Sequence, residues 1–307
     1  MYKVRVLALA IALLLMISVI GCASTPAPTP PRAPAAVPTA TAAPTAAPTA
    51  TPEIITQDFE DFNPSNFKRS HIVDNPWSPL KPGMQFVYNG FSDRDGERAV
   101  RRVVITVTDL TKVIGGVRSL ITYDLDYSSG HLVEAELAFY AQDDDGTVWR
   151  MGEYPEEYED GKFVNAPTWI HGLDNARAGI RMYKEPKVGT RSYSQGWGPA
   201  VDFTDRGRVA EIGKRICIPF DCYNDVLLIE ESSRKEPNAF QLKYYARGVG
   251  NIHVAWKGQD IRKENLDLID YFQLSPKTMA EIRAEAIKLD KHGIEVSAMY
   301  SQLPPVE

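Results

Sequence analysis

Three stretches of this chain alternate apolar and polar side chains so regularly that only β-strands accommodate them. Val103, Ile105 and Val107 alternate with Val104, Thr106 and Thr108. Ile121, Tyr123, Leu125 and Tyr127 alternate with Thr122, Asp124 and Asp126, and Val133, Ala135, Leu137 and Phe139 alternate with Glu134, Glu136, Ala138 and Tyr140. A period of two puts residues i and i+2 on one face, so each run reads as one buried and one solvated face. Compact polar turns separate the runs: Asp93-Arg94-Asp95-Gly96, Gly115-Gly116, Ser128-Ser129-Gly130 and Asp143-Asp144-Asp145-Gly146. Loops this short join antiparallel neighbours, because parallel strands need a long crossover.

A second series of strands is predicted at Val209 to Ile218, Val226 to Glu231, Phe240 to Ala246, Ile252 to Trp256 and Leu266 to Phe272. Between the two series, from Glu153 to Arg208, no clean period survives and the chain reads as long loops with short strands. One helix is indicated near the end, with Ser275 as N-cap, Pro276 in the first turn and a stripe of Met279, Ile282, Ala286 and Leu289, stopping before Gly293. The terminal Leu303-Pro304-Pro305-Val306-Glu307 reads as frayed. The predicted fold is mainly β: an antiparallel meander forming a strongly curved sheet or open barrel, with one C-terminal helix.

Ahead of this domain the chain is of another kind. Lys3 and Arg5 precede an uncharged run from Val6 to Ile20, too short to span a bilayer comfortably and suited to a signal-peptide core. It ends Val19-Ile20-Gly21-Cys22, which resembles the lipobox of bacterial lipoproteins. That resemblance implies cleavage after residue 21 and lipidation of Cys22; an ordinary secretory peptide or an uncleaved anchor is the alternative. Residues 22–52 are almost wholly Ala, Pro and Thr and bury no core. In an extended polyproline-like form they would span on the order of 90 Å. The expected organisation is a signal peptide over 1–21, a lipidated cysteine with its linker over 22–52, and a β-rich extracytoplasmic domain over 53–307, with the membrane as partner through the anchor.

Charge narrows the partners. Thirty-four basic and 40 acidic residues, evenly mixed for a net charge of −6, give no polyanion-binding surface, so nucleic acid is not an expected partner. No nucleophile elbow, P-loop, dinucleotide fingerprint or histidine metal spacing occurs, and no catalytic residue or cofactor is predicted.

Several groups are candidates for chemistry. Cys217 and Cys222 bracket four residues, and export would favour a disulfide between them. Asp143 and Asp145, with Asp144 between them, could hold a cation weakly, although the calcium-loop pattern is not met and Asp-Gly also serves plain turns. Trp169, Tyr183, Tyr193 and Trp197 lie in the irregular middle and could offer a platform to an apolar, glycan or protein ligand, or could plug the end of a sheet. Glu134 and Glu136 share a strand face and read as solvated surface rather than a glycosidase pair. The expected role is a membrane-anchored ligand- or partner-binding module at the cell envelope; the alternative is an envelope hydrolase whose Asp and Glu residues the fold assembles.

A family resemblance supports this address. Asn75-Pro76-Trp77-Ser78-Pro79-Leu80-Lys81-Pro82-Gly83 with Phe86 and Tyr88 resembles the opening NPYxPLKPGxxWxY of a family of uncharacterised secreted bacterial proteins and lipoproteins. The stretches from Tyr140 to Trp149 and from Tyr244 to Gly250 are similar to its YAQDxDGxVW and YYAPGVG motifs, with Arg247 where the family has proline and Phe86 where it has tryptophan. The resemblance implies an exported β-rich domain and transfers no catalytic residue.

Overall fold

The alternation starts earlier than the first run suggests. In the computed structural model, which describes residues 58–94 and 96–307, five long strands follow one another: β1 (Met84–Arg94), β2 (Glu97–Ile114), β3 (Val117–Ser128), β4 (His131–Gln142) and β5 (Val148–Glu159). Each pairs antiparallel with the next. Gly115 and Gly116, at φ 56° and 81°, form the two-residue turn between β2 and β3, a mirror-image turn whose twist suits a hairpin and which glycine adopts without strain. The signal peptide, Cys22 and the Ala/Pro/Thr segment lie outside the described residues.

The irregular middle holds only short strands: β6 (Lys162–Asn165), β7 (Trp169–Ile170), β8 (Arg177–Met182), β9 (Tyr193–Ser194) and β10 (Gly196–Trp197). A second meander follows: β11 (Arg206–Cys217), β12 (Cys222–Ser232), β13 (Ala239–Ala246), β14 (Gly250–Gly258) and β15 (Asn265–Gln273). β15 pairs with β1, which joins the two meanders into one antiparallel sheet. At the far side β8 lies on β5, and the segment Tyr193–Trp197 crosses the remaining gap, with β9 on β11 and β10 on β8. The sheet is thereby nearly closed as a barrel. Gly179 permits the closure: a Cβ there would sit 2.1 Å from the Gly196 backbone nitrogen.

Closure inverts the expected meaning of the strand faces. The apolar face of β3 and β4, with Ile121, Leu137 and Phe139 fully buried, points outward from the barrel and lies beneath the C-terminal helix α1 (Pro276–Val296), whose Ala286 and Leu289 join the same cluster. The polar face, with Thr122, Asp124, Asp126, Glu134 and Glu136, points into the lumen. The face read from sequence as solvated surface is therefore interior, and Glu134 and Glu136 are not surface carboxylates. A polar strand face is normally the wet one; here the apolar side has the helix to cover it.

Ser275 caps α1, its Oγ accepting from the Thr278 amide at 3.1 Å. The helix runs through Gly293 instead of ending before it, since Gly293 packs where a Cβ would meet Tyr154 and Tyr300 within 2.8 Å. Lys112 Nζ on β2 meets Asp290 Oδ1 on α1 at 2.6 Å, both side chains buried, and the Tyr300 hydroxyl donates to the same oxygen at 2.8 Å. The last residues are pinned rather than frayed: Glu307 and Thr111 exchange both backbone hydrogen bonds at 2.9 Å. No helix among the described residues is long and apolar enough to cross a membrane.

The proline-rich lead fills part of the barrel. Asn75 folds it, its Oδ1 accepting from the Trp77 amide at 2.8 Å and its Nδ2 donating to the Gly146 carbonyl at 2.8 Å. Trp77, 1% exposed, packs into an apolar cluster with inward-facing Leu120, Tyr140, Ile229 and Tyr245. The Arg247 guanidinium lies 4.1 Å above the Trp77 ring.

Candidate functional site

Above that apolar plug the lumen opens into a cavity of about 310 Å³. Strand parity decides its walls. β1, β2, β14 and β15 present Phe86, Val103, Ile105, Val254 and Leu266, an apolar arc; β3 and β4 present Thr122, Asp124, Asp126, Glu134 and Glu136. A second cavity of about 440 Å³ shares Glu134 and Gln241 with the first and adds Glu153, Asp205 and Glu231.

The carboxyl arc has an unusual register. Asp124 is the direct cross-strand partner of Glu136, and Asp126 of Glu134. Like charges placed opposite each other on a sheet repel, and their Cβ atoms stand only about 5 Å apart. A plain hairpin through the Ser129-Gly130 turn, with Ser128 opposite His131, would set Asp126 against Val133. A register shift beside Tyr127 moves the pairing by one residue and brings acid against acid.

Bases offset part of this charge. Arg101 pairs with Asp126, Arg150 Nη1 meets Glu153 Oε1 at 2.5 Å, and Lys243 Nζ meets Glu231 Oε2 at 2.6 Å. Gln195, from the closing segment, donates to Glu231 Oε1 at 2.8 Å. Arg181 lines the cavity beside the Tyr245 ring at 5.7 Å. Asp124, Glu134 and Glu136 form no ion pair among the described residues.

Burial accordingly pushes the Asp124 and Glu134 carboxyls up to about 7, and raises Glu136 well above the usual carboxylate range, helped by the charges of Glu153 and Asp124. Asp126 and Asp205 rise to about 6, again chiefly by burial. Glu231 moves the other way, because Lys243 and Arg181 outweigh the cost of burying its charge. The lumen thus holds carboxyl groups that carry a proton near neutral pH beside others that stay ionised. Such an arrangement can donate and accept hydrogen bonds, hold a cation, or exchange protons with a bound molecule.

The aromatic residues singled out in the sequence lie elsewhere, and none lines the lumen cavity. Trp169, 1% exposed, stacks on Phe203 at 4.8 Å and donates from Nε1 to Glu153 Oε2 at 2.9 Å. Tyr193, also 1% exposed, meets Tyr183 edge to face at 4.9 Å, and Trp197 lies under Arg234 at 5.5 Å. They brace the segment that closes the barrel. Asp143 is the Asx residue of a hairpin turn, accepting from the Thr147 amide and the Trp149 indole, each at 2.9 Å, while Asp145 is exposed. Among the described residues no three His, Cys, Asp or Glu side chains converge as a metal site. Cys217 and Cys222 form a disulfide between the end of β11 and the start of β12, where they are register partners with Cα atoms 4.0 Å apart.

Compared with solved structures, the chain is similar to a Bacteroides fragilis protein described as exported and of YmcC-like fold, with a TM-score of 0.39 and 10% identity over 64% of this chain and 99% of that one. It is also similar to a Parabacteroides distasonis protein described as a lipoprotein, with a TM-score of 0.34 and 11% identity over 64% and 97%. At this level neither likeness assigns an activity to this chain. No family model and no curated protein matches it.

Proposed function

We propose that this chain is an extracytoplasmic lipoprotein, anchored through Cys22, whose barrel lumen binds a small ligand at the cell envelope. The observation that carries the binding role is the lumen itself: a half-open cavity with one apolar arc and one arc of carboxyls, of which Asp124, Glu134 and Glu136 form no ion pair among the described residues. Lining a lumen with opposed acids costs stability, and a core has no structural need of it. The anchor rests on Val19-Ile20-Gly21-Cys22, and the likeness to secreted proteins and lipoproteins in the Asn75 to Tyr88 segment supports export.

Native mass spectrometry of the full chain extracted from its producing cell tests both parts. The expected spectrum has a polypeptide beginning at an acylated Cys22 and carrying a small-molecule adduct that is lost in Ile105→Trp, which fills the cavity. An unacylated chain contradicts the anchor, and an adduct retained by Ile105→Trp contradicts the lumen.

A second reading, hydrolysis by a general acid and base, is favoured by the direct opposition of Asp124 and Glu136. Turnover of envelope polysaccharide that disappears in both Asp124→Asn and Glu136→Gln would establish it. Absence of turnover by the unaltered chain would leave the lumen as a binding site alone.

A further inference from the structure

The lumen's charges are unequally matched, and the mismatch has a location. The bases around the cavity have acidic company: Arg150 meets Glu153, Lys243 meets Glu231, Arg101 meets Asp126, and Arg181 feels the charge of Glu231 and lies against the Tyr245 ring. Asp124 feels the charges of Arg150 and Arg181, and Glu136 that of Arg150, but neither they nor Glu134 form an ion pair among the described residues. All three stand on one arc, and Asp124 and Glu136 are direct cross-strand partners.

A separate observation marks the same place as built for a guest. Thr122 is 1% exposed and lines the cavity next to Asp124 on the same strand face, where its hydroxyl interacts with the Asp124 carboxyl; beyond each other, neither Thr122 Oγ1 nor Asp124 Oδ1 has a hydrogen-bond partner among the described residues. A buried oxygen whose bonding capacity is left unfilled costs about 1–3 kcal/mol relative to a satisfied one. A ligand group able to donate hydrogen bonds would satisfy both oxygens. Across from this arc, Val103, Ile105, Val254 and Leu266 offer only hydrocarbon.

Building on the lumen-binding reading, we infer that the ligand is an amphipathic cation, with an ammonium group among Thr122, Asp124 and Glu136 and a hydrocarbon body against the β2, β14 and β15 wall. An ammonium supplies three donors and one positive charge, so it relieves the repulsion between the opposed carboxyls and satisfies both oxygens together. An anionic ligand would add to the repulsion and leave Thr122 and Asp124 as they are. A neutral alcohol would supply a single donor and no charge.

The test is isothermal titration calorimetry of the full chain with three probes of equal length: hexylamine, hexanoate and hexanol. Hexylamine is expected to bind, hexanoate to give no saturable heat, and hexanol to bind at least roughly tenfold more weakly than the amine. In the Asp124→Asn/Glu136→Gln double variant, whose fold is checked by circular dichroism, hexylamine affinity is expected to fall by roughly tenfold or more. Hexanoate or hexanol binding as tightly as the amine would overturn the inference and leave lumen binding standing. Unchanged hexylamine affinity in the double variant, or no binding of the amine at all, would overturn it as well. Failure of the lumen reading has its own signature, the adduct that survives Ile105→Trp.

Discussion

Glu136 concentrates the energetics of the lumen at one residue. Its neighbour across the sheet is Asp124, Glu134 lies two residues away on the same face, and burial holds its proton well above the usual carboxylate range. A carboxyl whose folded-state affinity for the proton is raised destabilises the fold as pH climbs. Below about pH 4 it is protonated in both states; above that the unfolded chain releases a proton that the folded chain retains. For Asp124 and Glu134, raised to about 7, the same loss accumulates from about pH 4 to about pH 7 and is then complete. Chemical denaturation across this range is expected to show stability falling with pH from these groups. Glu136→Gln is expected to flatten that slope and to stabilise the chain by about 1 kcal/mol at pH 8. A Glu136→Gln chain less stable than the original at pH 8 would show the pair to be held by interactions other than those described.

At the scale of the element, α1 decides which strand face becomes the lumen. By covering the outer apolar face of β2 to β4, the helix leaves the polar face to turn inward. Its own seat is polar at one point, where Asp290 receives Lys112, the Tyr300 hydroxyl and, at 3.3 Å, the Val306 amide. Removing one partner of a buried ion pair strands the other charge, so Asp290→Ala is expected to cost about 3–5 kcal/mol in urea unfolding followed by circular dichroism. A cost under about 1 kcal/mol would mean that the apolar stripe alone seats the helix. Helix and strands were legible in the sequence, because period two, capping by Ser275 and glycine turns are local signals. The continuation of α1 through Gly293 was not, since it depends on the distant Tyr154 and on Tyr300. The pinned C-terminus, paired with Thr111, was hidden for the same reason.

For the molecule as a whole, the curved antiparallel meander with one helix was legible and the site was not. The carboxyls of the lumen stood in the sequence as the polar half of ordinary alternation, and two facts hid their role. Which side of a strand faces the barrel axis depends on the helix and on closure through Tyr193–Trp197, both remote in sequence. The facing of Asp124 by Glu136 depends on the register shift beside Tyr127. The aromatic cluster of the middle region stood out by composition, yet Trp169 and Tyr193 serve the closure. The disulfide, by contrast, could be anticipated from spacing because its two cysteines are neighbours in one hairpin.

The lumen carboxyls can be observed one by one through the ¹³C shifts of their side-chain carboxyl carbons as pH is varied. The fold described here predicts midpoints near 7 for Asp124 and Glu134, and one well above the usual carboxylate range for Glu136. Asp124, Glu134 and Glu136 all titrating near 4 would contradict it, because that is the behaviour of carboxylates on an open, solvated sheet face.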